Sequence, residues 1–293
     1  MAPHGAILLS AVLWGTLWIP LREINESGGS GATATSLSFL LGLAVLLPFA
    51  LVKARRIREG GWPLAAAGFY MAISIAFYAE GMVRGEVARV LLLFYLTPVW
   101  STLLARAMLK QPITRRRVAT IILGLVGMAV ILGGESGLPL PRSVADWLGL
   151  TSGITWGLAM VYCRRTASRP AFDRMVSALV FLAPIYFLVT LLPGSRDSAG
   201  MDGSMAADWM IILVALAFIW LLPVIGLTVY GASRLDPGRV AIFLMLEVII
   251  GLASAAWLLE EPFGPREIIG AALICSAMLA ETMGQDRPAS SRK

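Results

Sequence analysis

Glu80 and Glu247 are ionisable side chains set inside long apolar stretches, and Trp14, Tyr78, Tyr95, Trp100 and Trp156 lie deep in similar stretches. Glu247 is seven residues beyond Val240, which at ~1.5 Å per residue puts it roughly 10 Å into a ~30 Å hydrocarbon core. A carboxylate facing lipid at that depth is costly, so Glu247 must face the bundle interior or a water-filled cavity. Two readings stay open for it: handling of a substrate or proton, or a structural hydrogen bond to a neighbouring helix. Glu80 is only a few residues from the end of its stretch and reads as interfacial or at a cavity mouth. The deep aromatic rings offer apolar faces and a few hydrogen bonds to an amphipathic solute. The competing reading is that membrane aromatics anchor at the interface, as expected for Trp62, Trp147, Trp209 and Trp257. Trp14 and Trp18, four residues apart, are expected on one helix face.

Bond-making chemistry is poorly supplied. His4 is the single histidine, which removes His-based triads and multi-His metal sites. There is no Gly-rich phosphate loop, and Gly133-Gly134-Glu135-Ser136-Gly137 reads as an external turn. Cys163 and Cys275 sit at different expected depths and read as packing residues. No cofactor or metal is implied, and the chain is read as not an enzyme. An intramembrane enzyme stays as the reading of a different class.

The elements that must position these residues are set by composition. The 293 residues are 58% hydrophobic and 14% charged, with a mean hydropathy of +0.78, against about 25% charged in a soluble domain. Apolar stretches long enough to span recur at 5–22, 31–52, 63–83, 86–106, 117–134, 146–166, 171–193, 208–231, 238–259 and 264–283. Ten such helices leave room only for short connections, the longest being a Gly/Ser/Asp-rich loop from Pro193 to Asp208. The first stretch has no basic leader and no small-residue cleavage pattern, so it is read as a retained span.

Residues 89–132 overlay 239–282 without a gap at an offset of 150: Arg89 with Arg239, Leu96 with Leu246, Pro112 with Pro262, Met128 with Met278. A second echo, at an offset of 142, matches Ser10, Trp14, Gly15 and Arg22 to Ser152, Trp156, Gly157 and Arg164. Alternate sorting of the loops places 18 of the 24 Lys and Arg on the side of both termini, which the positive-inside rule makes the cytoplasm. The net charge of +6 is therefore explained by topology and not by nucleic acid. Five spans per half is odd, so the second half runs upside down. The matched loops agree, basic at Lys110 to Arg117 and acidic at Glu260 to Glu267. The expected fold is an all-α integral membrane protein of ten transmembrane helices, two inverted five-helix repeats around a central cavity. Its units are 1–143, 144–284 and a disordered cytoplasmic tail at 285–293.

Duplicated membrane halves of this kind suit secondary transport by alternating access. Gly149, Gly153 and Gly157 recur at spacing four on the sixth stretch and are read as a close helix crossing, with exposure of bare backbone to a substrate path as the alternative. Ala11 with Gly15, and Gly251 with Ala255, repeat the pattern.

The hairpins Leu96-Thr97-Pro98-Val99 through Pro112-Ile113-Thr114 and Leu246-Glu247-Val248-Ile249 through Pro262, with Leu13-Trp14-Gly15, resemble the EamA-type drug/metabolite transporter superfamily over the full length. Val248 stands where that family's second proline is expected, and Leu109-Lys110-Gln111 and Leu259-Glu260-Glu261 where Leu-Gly-Glu is expected. The aromatic-rich spans look most like bacterial inner-membrane exporters of aromatic amino acids. The resemblance implies helices 1, 3, 4, 6, 8 and 9 around a cavity and helices 2, 5, 7 and 10 outside. Lack of a deep Lys or Arg argues against the sugar-phosphate branch. The function expected is export of small neutral apolar metabolites, aromatic amino acids foremost, with lipophilic cations as the alternative. The partners expected are a small-molecule substrate and the lipid bilayer; monomer and homodimer both stay open.

Overall fold

Hydrocarbon offers no hydrogen bonds to a bare backbone, so a chain this apolar satisfies its amides within helices. A computed structural model of the chain describes residues 1–26, 31–132, 140–190, 206–260 and 263–283, and these contain no strand. The turn at Gly133 to Gly137, residues 191–205 of the long loop, Glu261, Pro262, the tail, and the side chain of Trp209 lie outside the described residues.

The first apolar stretch forms α1 (Pro3–Thr16) and α2 (Trp18–Glu26), separated at Leu17. Next come α3 (Gly31–Val52), the short α4 (Ala54–Arg58) and α5 (Gly61–Arg84). The fourth stretch is also split, into α6 (Val87–Phe94) and α7 (Thr97–Leu109). Pro98 lies in the first turn of α7, where its missing N–H is tolerated. Then follow α8 (Arg115–Leu132), α9 (Val144–Arg165) and α10 (Ala171–Thr190). The eighth stretch runs as α11 (Ala206–Ala215), a π-helical segment (Leu216–Leu221) and α12 (Leu222–Ala232). The ninth divides at Met245 into α13 (Pro237–Leu244) and α14 (Leu246–Leu259), and α15 (Pro265–Thr282) ends the described chain. Six stretches among the described residues are long and apolar enough to cross a membrane: 3–24, 34–52, 61–82, 89–109, 210–232 and 237–259. The other four, α8, α9, α10 and α15, have 18 to 22 residues and carry charges in their terminal turns.

Helix limits recur at the 150-residue offset of the sequence echo. Phe94 and Leu244 end α6 and α13, Arg115 and Pro265 open α8 and α15, and Leu132 and Thr282 close them. Lys110 (φ 57°) and Glu260 (φ 56°) cap α7 and α14 in the left-handed conformation, the only non-glycine residues with positive φ among those described. Contacts recur as well. Ser10 of α1 bonds Thr228 of α12 at 2.6 Å, and Ser152 of α9 donates to the Ser74 carbonyl of α5 at 2.9 Å while Ser74 donates to that of Ser152 at 2.8 Å. Helix α1 meets α14 where Gly15 lies against Gly251, and α9 meets α7 where Gly157 lies against Ser101; α8 packs along α15 and α10 along α3.

The three glycines of α9 face the fourth stretch. A Cβ on Gly149 would stand 2.9 Å from the Val90 carbonyl, one on Gly153 2.7 Å from that of Phe94, and one on Gly157 3.2 Å from the Ser101 amide. At one end Arg117 bridges Asp236 (2.7 Å) and Glu281 (3.1 Å), Arg239 also reaches Glu281 (3.3 Å), and Arg56 pairs with Asp173. At the other end of α9, Arg89 bonds Asp146 at 3.0 Å. Arg174, in the first turn of α10, is fully buried and donates to the Arg169 carbonyl (2.8 Å) and the Ser233 hydroxyl (3.0 Å).

Candidate functional site

The split helices meet around one cavity, and each contributes from the turn beside its break. From α14, the carboxyl group of Glu247 enters, two residues past Met245 and in the first turn. The unpaired amides and positive dipole end of a helix favour a carboxylate there. From the other break come Phe94, Tyr95 and Thr97. The Tyr95 hydroxyl donates to Oε1 of Glu247, so the two breaks are joined by one hydrogen bond. The Thr97 hydroxyl donates to the Phe94 carbonyl that the interruption leaves free.

Trp14 on α1 and Trp156 on α9 close another side, their rings T-shaped with centroids 6.3 Å apart. These are the paired positions of the 142-residue echo. Ser74, Ile75 and Tyr78 on α5 and Ala241 and Leu244 on α13 complete the lining. The Tyr78 ring lies 4.8 Å from that of Phe94, which lies 5.2 Å from that of Tyr95, so the aromatic wall runs continuously to the carboxylate. The cavity between these residues has a volume of about 60 Å³. Among the lining residues Glu247 is the one ionisable carboxylate, and none is Lys, Arg or His.

Of the six residues singled out for a substrate, Trp14, Tyr78, Tyr95, Trp156 and Glu247 come together. Trp100 does not line this cavity. It lies three residues beyond Thr97 on α7, and its indole N–H is buried without a partner among the described residues. Trp18 is not in the lining either: past the interruption at Leu17 its indole N–H donates to Ser254 of α14 at 3.0 Å. Glu80 is buried and pairs with Arg84 in the last turn of α5. Trp62, Trp147 and Trp257 are 63%, 59% and 83% exposed, as lipid-facing rings at helix ends are.

The lining residues that were not singled out had a local signal. Ser74 precedes Tyr78 by one turn on α5, and Ala241, Leu244 and Glu247 recur at spacing three. Phe94 and Thr97 flank Tyr95, but their place in the lining depends on the helix break, which apolar composition conceals. Among the described residues no group of three or more His, Cys, Asp or Glu could hold a metal ion.

A family model described as the EamA-like transporter family matches the chain twice, over residues 3–133 and 143–280. A probable terminal-alkyne amino-acid exporter of Streptantibioticus cattleyicolor is 28% identical, covering 97% of this chain and 96% of the relative. The aromatic amino acid exporter YddG of Escherichia coli is 25% identical over 93% and 94%. A solved crystal structure superposes with a TM-score of 0.77 at 18% identity, covering 99% of this chain and 98% of the other, which establishes likeness of fold. With apolar helices of membrane-crossing length and a family match in each half, this multi-pass membrane protein belongs to the EamA-like transporter family.

Proposed function

We propose that the chain exports small, largely apolar metabolites, aromatic and other hydrophobic amino acids foremost, by alternating access of two halves. The observation that carries this reading is the aromatic cavity at the junction of the two helix breaks, with a single carboxylate in its wall. Rings supply apolar contact area and edge or face contacts to an aromatic solute, and broken helices present polar backbone only where it faces a cavity. The exporter names of two full-length relatives point the same way.

The architecture proposed is ten spans in two inverted five-helix halves, divided after residue 143, with both termini in the cytoplasm of a bacterial inner membrane. The recurring helix limits, the paired left-handed caps and the two family matches support the duplication. The contacts of Arg89 and Arg239, equivalent by the offset, at opposite ends of the helices support the inversion.

Purified protein in proteoliposomes tests the function. Labelled phenylalanine or tryptophan loaded inside should exchange with unlabelled compound outside, well above protein-free vesicles. Exchange no faster than in empty vesicles, for these and for leucine, would overturn the proposal.

A further inference from the structure

The cavity contains a carboxylate whose needs the protein meets only in part. Tyr95 donates to Oε1 of Glu247, and Oε2 accepts no hydrogen bond from the described residues. No Lys, Arg or His stands in the lining to balance it. A buried charge without a counter-charge is unfavourable. Around it the rings of Trp14, Trp156, Tyr78, Phe94 and Tyr95 offer the faces to which cations are drawn. The arrangement provides nothing comparable for an anion. The hydroxyl groups of Ser74, Thr97 and Tyr95 already donate to the Ser152 carbonyl, the Phe94 carbonyl and Glu247. A ligand carboxylate would find neutral donors alone, the unpartnered indole N–H of Trp14 and the hydroxyl of Tyr78, and would share the cavity with Glu247, where like charges repel.

We propose that the chemical handle read by this cavity is a ligand ammonium group, held between Glu247 and the aromatic wall, and that the preferred ligands are hydrophobic primary amines whose carboxyl group is absent or masked. A primary ammonium can hydrogen-bond the open oxygen of Glu247 while its organic body lies against the rings. An amino acid satisfies this requirement with its amino group, but its carboxylate adds no attraction. The inference rests on the reading of this cavity as the transport site and narrows it to a substrate class.

Four compounds with one aromatic body separate the possibilities: phenylalanine, phenylalaninamide, phenethylamine and N-acetylphenylalanine. Binding is read at pH 7 as ligand-induced thermal stabilisation of the purified wild-type protein, and transport as exchange in proteoliposomes. Phenylalaninamide and phenethylamine should bind at least as tightly as phenylalanine, and N-acetylphenylalanine at least tenfold more weakly. Glu247→Gln should weaken the three amines tenfold or more and leave N-acetylphenylalanine unchanged. N-Acetylphenylalanine binding as tightly as phenylalanine, or the amide and amine binding tenfold more weakly than the amino acid, overturns the inference. The wild-type series decides this even if the variant does not fold. Amines that bind in this order without being exchanged support the ammonium site and overturn the export reading. Exchange of phenylalanine with no preference for the amine handle keeps the export reading and overturns the inference, and binding of none of the four overturns it too.

Discussion

Tyr95 and Glu247 are the residues on which the two halves of the site depend, because their hydrogen bond spans the two helix interruptions. Replacing Tyr95 by Phe keeps the ring and removes the donor. A hydrogen bond to a charged group contributes about 1.5–3 kcal/mol, so Tyr95→Phe should lower the unfolding temperature in detergent and shift apparent substrate affinity by tenfold or more. Trp100→Phe is the contrasting variant. The Trp100 indole N–H is buried without a partner and outside the lining, and losing an unpaired buried donor is neutral or stabilising. Its transport should match wild type within twofold. Wild-type stability and substrate affinity in Tyr95→Phe would show that the hydrogen bond between the two breaks does not matter to the site.

At the scale of elements, the close crossings of α9 with α6 and α7, and of α1 with α14, hold the interrupted helices in register. A side chain at Gly153 would run into the Phe94 carbonyl at 2.7 Å and the Thr97 hydroxyl at 3.0 Å. Overpacking costs about 1–3 kcal/mol where neighbours can yield, and here a contact is backbone. Gly153→Leu should therefore reduce folded yield and thermal stability. Gly15→Ala makes a gentler change on the equivalent crossing, where the new methyl meets the Glu247 carbonyl and the Ile250 side chain. It displaces the first turn of α14, so transport should fall more than stability does. Gly5→Ala, with nothing within 4 Å, should be silent in both assays. A Gly153→Leu protein as stable as its parent would contradict the close approach of α9 to the fourth stretch.

At the scale of the molecule, the two ends of the bundle are tied by different ion pairs. Arg117, Arg239, Glu281 and Asp236 bind α8, α13 and α15 together at one end, while Arg89 and Asp146 meet at the other. Arg116 and Arg142 are both exposed and belong to opposite ends. Single cysteines at these positions, in a chain with Cys163 and Cys275 replaced, should label from opposite sides of the membrane, Arg116→Cys from the cytoplasm. Reaction of both with an impermeant reagent added outside intact cells would contradict the inverted arrangement of the halves.

Hydropathy and duplication can be read along the chain because they are properties of local sequence. Apolar runs of span length exclude a soluble fold, and the 150-residue echo returned as matching helix limits and matching caps at Lys110 and Glu260. Five of the six residues singled out for a substrate could be chosen because deep Trp, Tyr and Glu are expensive anywhere except against a cavity or a neighbouring helix. The helix breaks at Leu17, at Tyr95-Leu96 and at Met245 were not legible, because an interrupted helix in an apolar run keeps the composition of a continuous one. Those breaks decide the rest. They leave Trp100 outside the lining, bring Phe94 and Thr97 into it, and let Tyr95 reach Glu247. Burial of Arg174 likewise came from packing alone, since only the folded chain brings the Arg169 carbonyl and Ser233 within reach of its guanidinium group. Which side chains are costly at depth is a property of each residue, whereas which partner offsets that cost is decided by helices distant in sequence.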